Sequence, residues 1–96
     1  MNDKTEIIII KENILNVISE VEEEFERRRK SMKENNLFSI DKNFLFCLIL
    51  KEEIEKLDIK TKKIVNEKIE RMLFLNSKAI NIIFFFDNQA LDSLKQ

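Results

Sequence analysis

Phe44-Leu-Phe-Cys-Leu-Ile-Leu50 is the longest uninterrupted apolar run in the chain, and charged residues close in on it from both sides. How this run is read decides the fold. Seven residues are too few to span a bilayer, so the run must be buried by the rest of the protein or by a partner. The chain has 96 residues, which predicts one domain, 1–96. A domain of this size buries only about 60–70 % of the surface its unfolded chain exposes, so oligomerisation is a common remedy.

The chain contains no Gly and no Pro. That excludes Gly-rich phosphate cradles, two-residue hairpins that need positive φ, and Pro-rich linkers. Long helices with short connections need neither residue, so the expected fold is all-α. With no His, there is no His triad, His general base or His metal ligand. The single cysteine, Cys47, lies inside the apolar run and reads as a buried thiol in a reducing compartment. Seventeen basic and eighteen acidic residues give a formal net charge of −1, which is no footprint for nucleic acid or an acidic membrane. The N-terminal residues lack the layout of a signal peptide, and the expected location is cytoplasmic.

Upstream of the run, Asp3-Lys-Thr-Glu6 reads as a capping box. Apolar residues then recur at Ile7, Ile10, Ile14, Val17, Ile18, Val21, Phe25 and Met32. The steps of three and four predict one amphipathic helix of about thirty residues. Its first half fits a coiled-coil seam, with Ile7, Ile14 and Val21 at one heptad position and Ile10 and Val17 at the other. The seam fails at Glu24, Arg28 and Ser31, where an ordinary core-facing stripe takes over. Glu23–Arg27, Glu24–Arg28 and Glu26–Lys30 stand in the favourable i,i+4 order, so the basic run Arg27–Lys30 reads as a self-paired, solvated helix face. Asn35-Asn36 ends the helix, because Asn substitutes for Gly where a left-handed residue is needed.

Downstream, Asp41 or Ser39 is the expected cap of a second helix that carries the central run through Ile54 and Leu57. Asp58 either caps a new helix at Ile59 or lies within a continuing one. Ile64, Val65, Ile69, Met72 and Leu73 form the next stripe, and Asn76-Ser77 the next break. Ala79-Ile-Asn-Ile-Ile-Phe-Phe-Phe86 is apolar almost all round. It reads as a helix with Ile80, Ile83, Phe84 and Leu91 inward. The alternative is a strand paired with Ile7–Ile10, but a lone two-stranded pairing is marginal. The helical reading leaves Ile82, Phe85 and Phe86 uncovered, which points to an intermolecular interface.

The expectation is therefore a three- to four-helix bundle with a long N-terminal helix, forming a homo-oligomer. Its interface residues are Ile7, Ile10, Ile14, Val17, Val21, Ile82, Phe85 and Phe86. No catalytic, cofactor-binding or metal residue is expected. Helical carboxylate metal sites combine inward Glu with His, and the one acid in a seam position, Glu24, has Arg28 as its partner. The chain reads as a non-enzymatic interaction protein that self-associates and binds an unidentified protein partner.

Two resemblances bear on that partner. The layout and composition, with Asn36-Leu-Phe-Ser-Ile-Asp41 and Ile82-Ile-Phe-Phe-Phe86 in a Gly- and Pro-free chain, are similar to small plasmid- or prophage-encoded proteins of spirochaetes, such as holin (haemolysin) accessory proteins. That resemblance implies a cytoplasmic protein assisting a small membrane protein. No functional residue carries over from it. The stretch Asp41–Leu73 resembles the BESS interaction motif of insect chromatin and transcription proteins. The matching residues are Phe44-Leu45, Leu48, Ile54, Leu57, the Lys-rich turn at Lys60, Lys62 and Lys63, and the tail Val65, Ile69 and Leu73. It departs from that motif by a two-residue insertion before Ile54 and by lacking a central proline. This resemblance implies a protein–protein interaction module.

Overall fold

Three apolar runs that sequence periodicity assigns to helices are strands. A computed structural model describes residues 5–38, 40–75, 79–87 and 90–95, with the side chains of Leu91 and Lys95 excepted. The Asp3 end of the capping box, the Ser39 cap, the Asn76-Ser77 break and the inward Leu91 side chain lie outside the described residues. The elements in chain order are β1 (Thr5–Ile10), α1 (Ile14–Glu34), β2 (Phe44–Ile49), α2 (Lys51–Glu55), α3 (Ile59–Phe74), β3 (Ile82–Phe86) and α4 (Ala90–Lys95). The expected all-α helical bundle, with its coiled-coil seam, is therefore corrected to an α/β fold.

The sheet is parallel throughout, in the order β1-β2-β3. Strands of parallel sheets read as near-continuous apolar runs, without the alternation that marks a half-solvated strand. Ile7-Ile-Ile-Ile10 fits every period at once, so its agreement with a helical seam carried no information. β-branched side chains are also stiff in a helix and pack well on a pleated surface. The absence of Gly and Pro does exclude tight hairpins. Parallel strands, however, are joined by helical crossovers that require neither residue. The strand alternative for residues 79–86 named Ile7–Ile10 as partner. In the structure β2 lies between them, with Ile7 level with Phe46 and Phe46 level with Ile83.

Lys11-Glu12-Asn13 separates β1 from α1, and Asn13 takes a left-handed φ of 51°. Helix α1 turns Ile14, Ile18, Val21 and Phe25 inward. It ends where the sequence predicts, with Asn35 as C-cap and Asn36 left-handed at φ 55°. In a chain without glycine, Asn13, Asn36 and Asn81 hold all the positive-φ positions among the described residues. A left-handed backbone costs an ordinary L-residue roughly 1–2 kcal/mol. Asn36→Ala is expected to lower stability by about 1 kcal/mol in urea unfolding, and Asn36→Gly to leave it unchanged or raise it. Equal stability of Asn36→Ala and the parent protein would remove the left-handed assignment.

Asp58 settles the second open boundary. Its carboxylate accepts a 2.7 Å hydrogen bond from the Thr61 amide and starts α3 afresh. Val65, Ile69 and Met72 face the core, whereas Ile64 and Leu73, expected inside, are exposed.

One core holds the molecule together. Its sheet side is Ile10 from β1, Leu45, Cys47 and Ile49 from β2, and Ile82 and Phe84 from β3. Its helix side comes from α1 and α3, with Ile54 of α2 and Ala90 and Leu94 of α4. All the helices that contribute to this core therefore cover the same face of the sheet. Topology accounts for that. The strand order 1-2-3 advances in one direction, and successive crossovers of one hand then lie on one side. A doubly wound fold covers its second face by reversing strand order at a switch point. No reversal occurs here.

Candidate functional site

The opposite face of the sheet carries Ile7 and Ile9 from β1, Phe44, Phe46 and Leu48 from β2, and Ile83 and Phe85 from β3. These are the residues that alternate with the inward ones. None of the seven joins the core. Ile7 is 67 % exposed and Phe85 49 % exposed, and Ile9 and Phe44 are exposed as well. Rows across the face align Ile7 with Phe46 and Ile83, and Ile9 with Leu48 and Phe85. Phe44, Phe46 and Phe85 form a diagonal of near-parallel rings, with centroids 5.9 Å and 5.3 Å apart. Among the strand residues only Thr5, at the start of β1, adds a polar side chain to this face. Purely parallel sheets are almost always covered on both faces. This one has an uncharged apolar face with none of the described helices against it.

The expected interface residues divide into two groups. Ile7 and Phe85 lie on the open face. Ile10, Ile14, Val21 and Ile82 are buried in the chain's own core, and Val17 and Phe86 pack partly buried against it. Those six are committed to intramolecular packing, because the helical seam that had grouped Ile7, Ile10 and Ile14 does not exist. Ile9, Phe44, Phe46, Leu48 and Ile83 share the open face with Ile7 and Phe85. The period-2 alternation that selects them is visible only once the runs are known to be strands.

A second cluster lies at the end of the sheet where β2 and β3 begin. Arg28, expected on a solvated face, is 5 % exposed. Its Nε donates to Glu24 Oε2 at 2.6 Å, and its Nη1 donates to the carbonyls of Asn43 and Ile80, both at 2.9 Å. Asn81, left-handed at φ 62°, donates from Nδ2 to the carbonyls of Ile40 and Lys42. Together these side chains pin the loop before β2 to the loop before β3. Arg28 falls three residues after Phe25 and seven after Val21, on the buried stripe of α1, but its spacing from Glu24 fits a surface pair equally well.

The rest of the basic run is paired, though not as spacing alone predicts. Arg27 meets Glu24, Arg29 meets Glu26, and Lys30 meets Glu34. Glu22 and Glu26 reach across to Lys68 and Arg71 of α3. Partial burial works to raise the pKa of Glu24. The hydrogen bonds and charges of Arg28 and Arg27 outweigh it and hold the carboxyl below its usual value. This arrangement fixes the cation of Arg28 in place as a structural clamp.

Beneath the same end of the sheet, Met32, Leu37, Phe38, Leu75 and Ile80 line a groove of about 640 Å³ edged by Arg29 and Lys33. Phe38 stands 97 % exposed beside it. Cys47 is fully buried under the sheet, and burial, with a smaller contribution from Glu6, pushes its thiol up to about 11. Among the described residues no group of His, Cys, Asp or Glu is placed to hold a metal ion, and no helix is long and apolar enough to cross a membrane. Compared with known protein families, curated proteins and solved structures, the chain has no significant match to any of them.

Proposed function

We propose that the chain is a non-catalytic interaction protein whose working surface is the open face of its parallel sheet. The observation that carries this reading is the uncovered face itself: seven apolar side chains, in register across three strands, with no charge among them. A contiguous apolar patch of this extent is often a functional surface. The polar clusters support the same reading from the other side, because Arg28 and Glu24 are spent on holding loops together. An accessory role beside a small membrane protein is one form that such binding would take.

The test is the double variant Ile7→Ser/Phe85→Ser. Both side chains stand outside the core, so the variant is expected to keep the circular-dichroism spectrum of the parent. The parent is expected either to self-associate or to bind an apolar dye such as bis-ANS, and the variant to do neither, with at least a tenfold loss of affinity. A parent protein that neither associates nor binds the dye would show that the face is not a binding surface.

A further inference from the structure

Resting on that reading, we infer that the occupant of the open face is a second copy of this chain, packed sheet against sheet about a two-fold axis that runs between the two sheets, over β2. The first argument is chemical. An isologous contact needs a patch complementary to itself. A face without charge has no like-charge repulsion to overcome when it meets its own copy, whereas a charged partner would find nothing here to pair with.

The second argument is area. A free Phe carries on the order of 150–200 Å², so the exposed fractions of the seven side chains sum to roughly 500 Å² per chain. Two such faces meeting remove roughly 1,000 Å² from water, the least that a biological interface is expected to bury. The third argument is geometry. Two twisted sheets pack face to face about 10 Å apart with their strands inclined by about 30°. Phe46 lies on the central strand between Ile7 and Ile83, so the two-fold axis brings the Phe46 rings of both copies together. The diagonals of stacked rings then cross at that point. The resulting dimer has four layers, helices outside and two sheets within, and each parallel sheet is covered on both faces, as parallel sheets require.

Light scattering on a sizing column over a hundredfold range of concentration decides the matter, with Phe85→Asp as the test variant. The control is Phe74→Asp, at a residue that is 88 % exposed on α3 and away from the sheet. The expected result is a dimer whose dissociation constant rises at least a hundredfold in Phe85→Asp and is unchanged in Phe74→Asp. A monomer that still binds bis-ANS, with dye binding lost in Phe85→Asp, overturns the second copy and leaves the open face for a different partner. A dimer indifferent to Phe85→Asp overturns both the second copy and the face as the working surface. If Phe85→Asp does not fold, isotope-filtered NOEs on mixed labelled and unlabelled parent protein decide instead. Cross-chain contacts from the Ile7, Ile9 or Ile83 methyls to Phe46 support the sandwich, and their absence from a dimer overturns it.

Discussion

Arg28→Ala is expected to destabilise the protein by about 3 kcal/mol, from two carbonyls left without their donor and from the packing lost with the side chain. The carbonyls of Asn43 and Ile80 each accept from Arg28 Nη1 at 2.9 Å. Without the guanidinium they lose that donor where β2 and β3 begin. Buried acceptors without partners are costly, and the vacated space adds a cavity. For a domain whose total stability is of order 5–15 kcal/mol, this is a large share, equivalent to a fall in Tm of about 15 °C or more. Arg28→Met retains the packing of the aliphatic stem and is expected to lose less than Arg28→Ala. Glu24→Gln leaves the clamp on the carbonyls intact and is expected to lose about 1 kcal/mol or less, because Glu24 is partly solvated. Urea unfolding of the three variants checks the order. If Arg28→Ala and Glu24→Gln came out equal, Arg28 would be acting through its ion pair alone and the loop clamp would be wrong.

Alkaline pH is expected to destabilise the fold through Cys47. Burial raises the thiol from its ordinary 9.0 to about 11, with the Glu6 carboxylate adding to the effect. The sign follows from proton counting. Below about pH 8 both folded and unfolded chains hold the proton, and stability does not change with pH on this account. Between about 9 and 11 the unfolded chain has released its proton while the folded chain keeps it, so stability falls as pH rises. A thiol that holds its proton to about 11 when folded, against 9.0 when unfolded, removes about 2 kcal/mol of stability by pH 11. The chain has no His and no Tyr, so few other groups titrate between neutrality and the lysines. Subtracting the pH profile of Cys47→Ala, measured in reductant, isolates the thiol. The same burial predicts that thiol reagents label the folded protein at pH 8 on the order of a hundredfold more slowly than the unfolded chain. Parallel profiles for Cys47→Ala and the parent would place the thiol in contact with solvent and would contradict its position under the sheet.

Cys47 and Arg28 differ in how far their sequence neighbours reveal their burial. The burial of Cys47 was legible, because a thiol inside a seven-residue apolar run has nowhere else to go. The burial of Arg28 was not, although it sits on the stripe of Phe25 and Val21. Charge pairing along one helix explains a surface arginine as readily as a buried one, and the carbonyls that hold it come from segments 15 and 52 residues away. The surplus of apolar surface at Ile7 and Phe85 was likewise legible as a quantity but not as a place. Half of the expected interface, Ile10, Ile14, Val21 and Ile82, proved to be core.

By itself the sequence determined what depends on composition and on local spacing. It excluded histidine chemistry and glycine loops, marked the stripe of α1 from Ile14 and its end at Asn35-Asn36, and named Asp58 as a candidate cap. These follow from residue identity and from interactions within one or two helical turns. The tertiary structure alone decided that Ile7–Ile10, Phe44–Ile49 and Ile82–Phe86 are strands, that they lie parallel in the order β1-β2-β3, and that one face is left bare. An apolar run of four to seven residues has no period of its own. Its backbone hydrogen bonds go wherever a distant partner supplies donors and acceptors. The partner of β1 begins more than thirty residues away, and the face a side chain takes is set only when that pairing fixes the register.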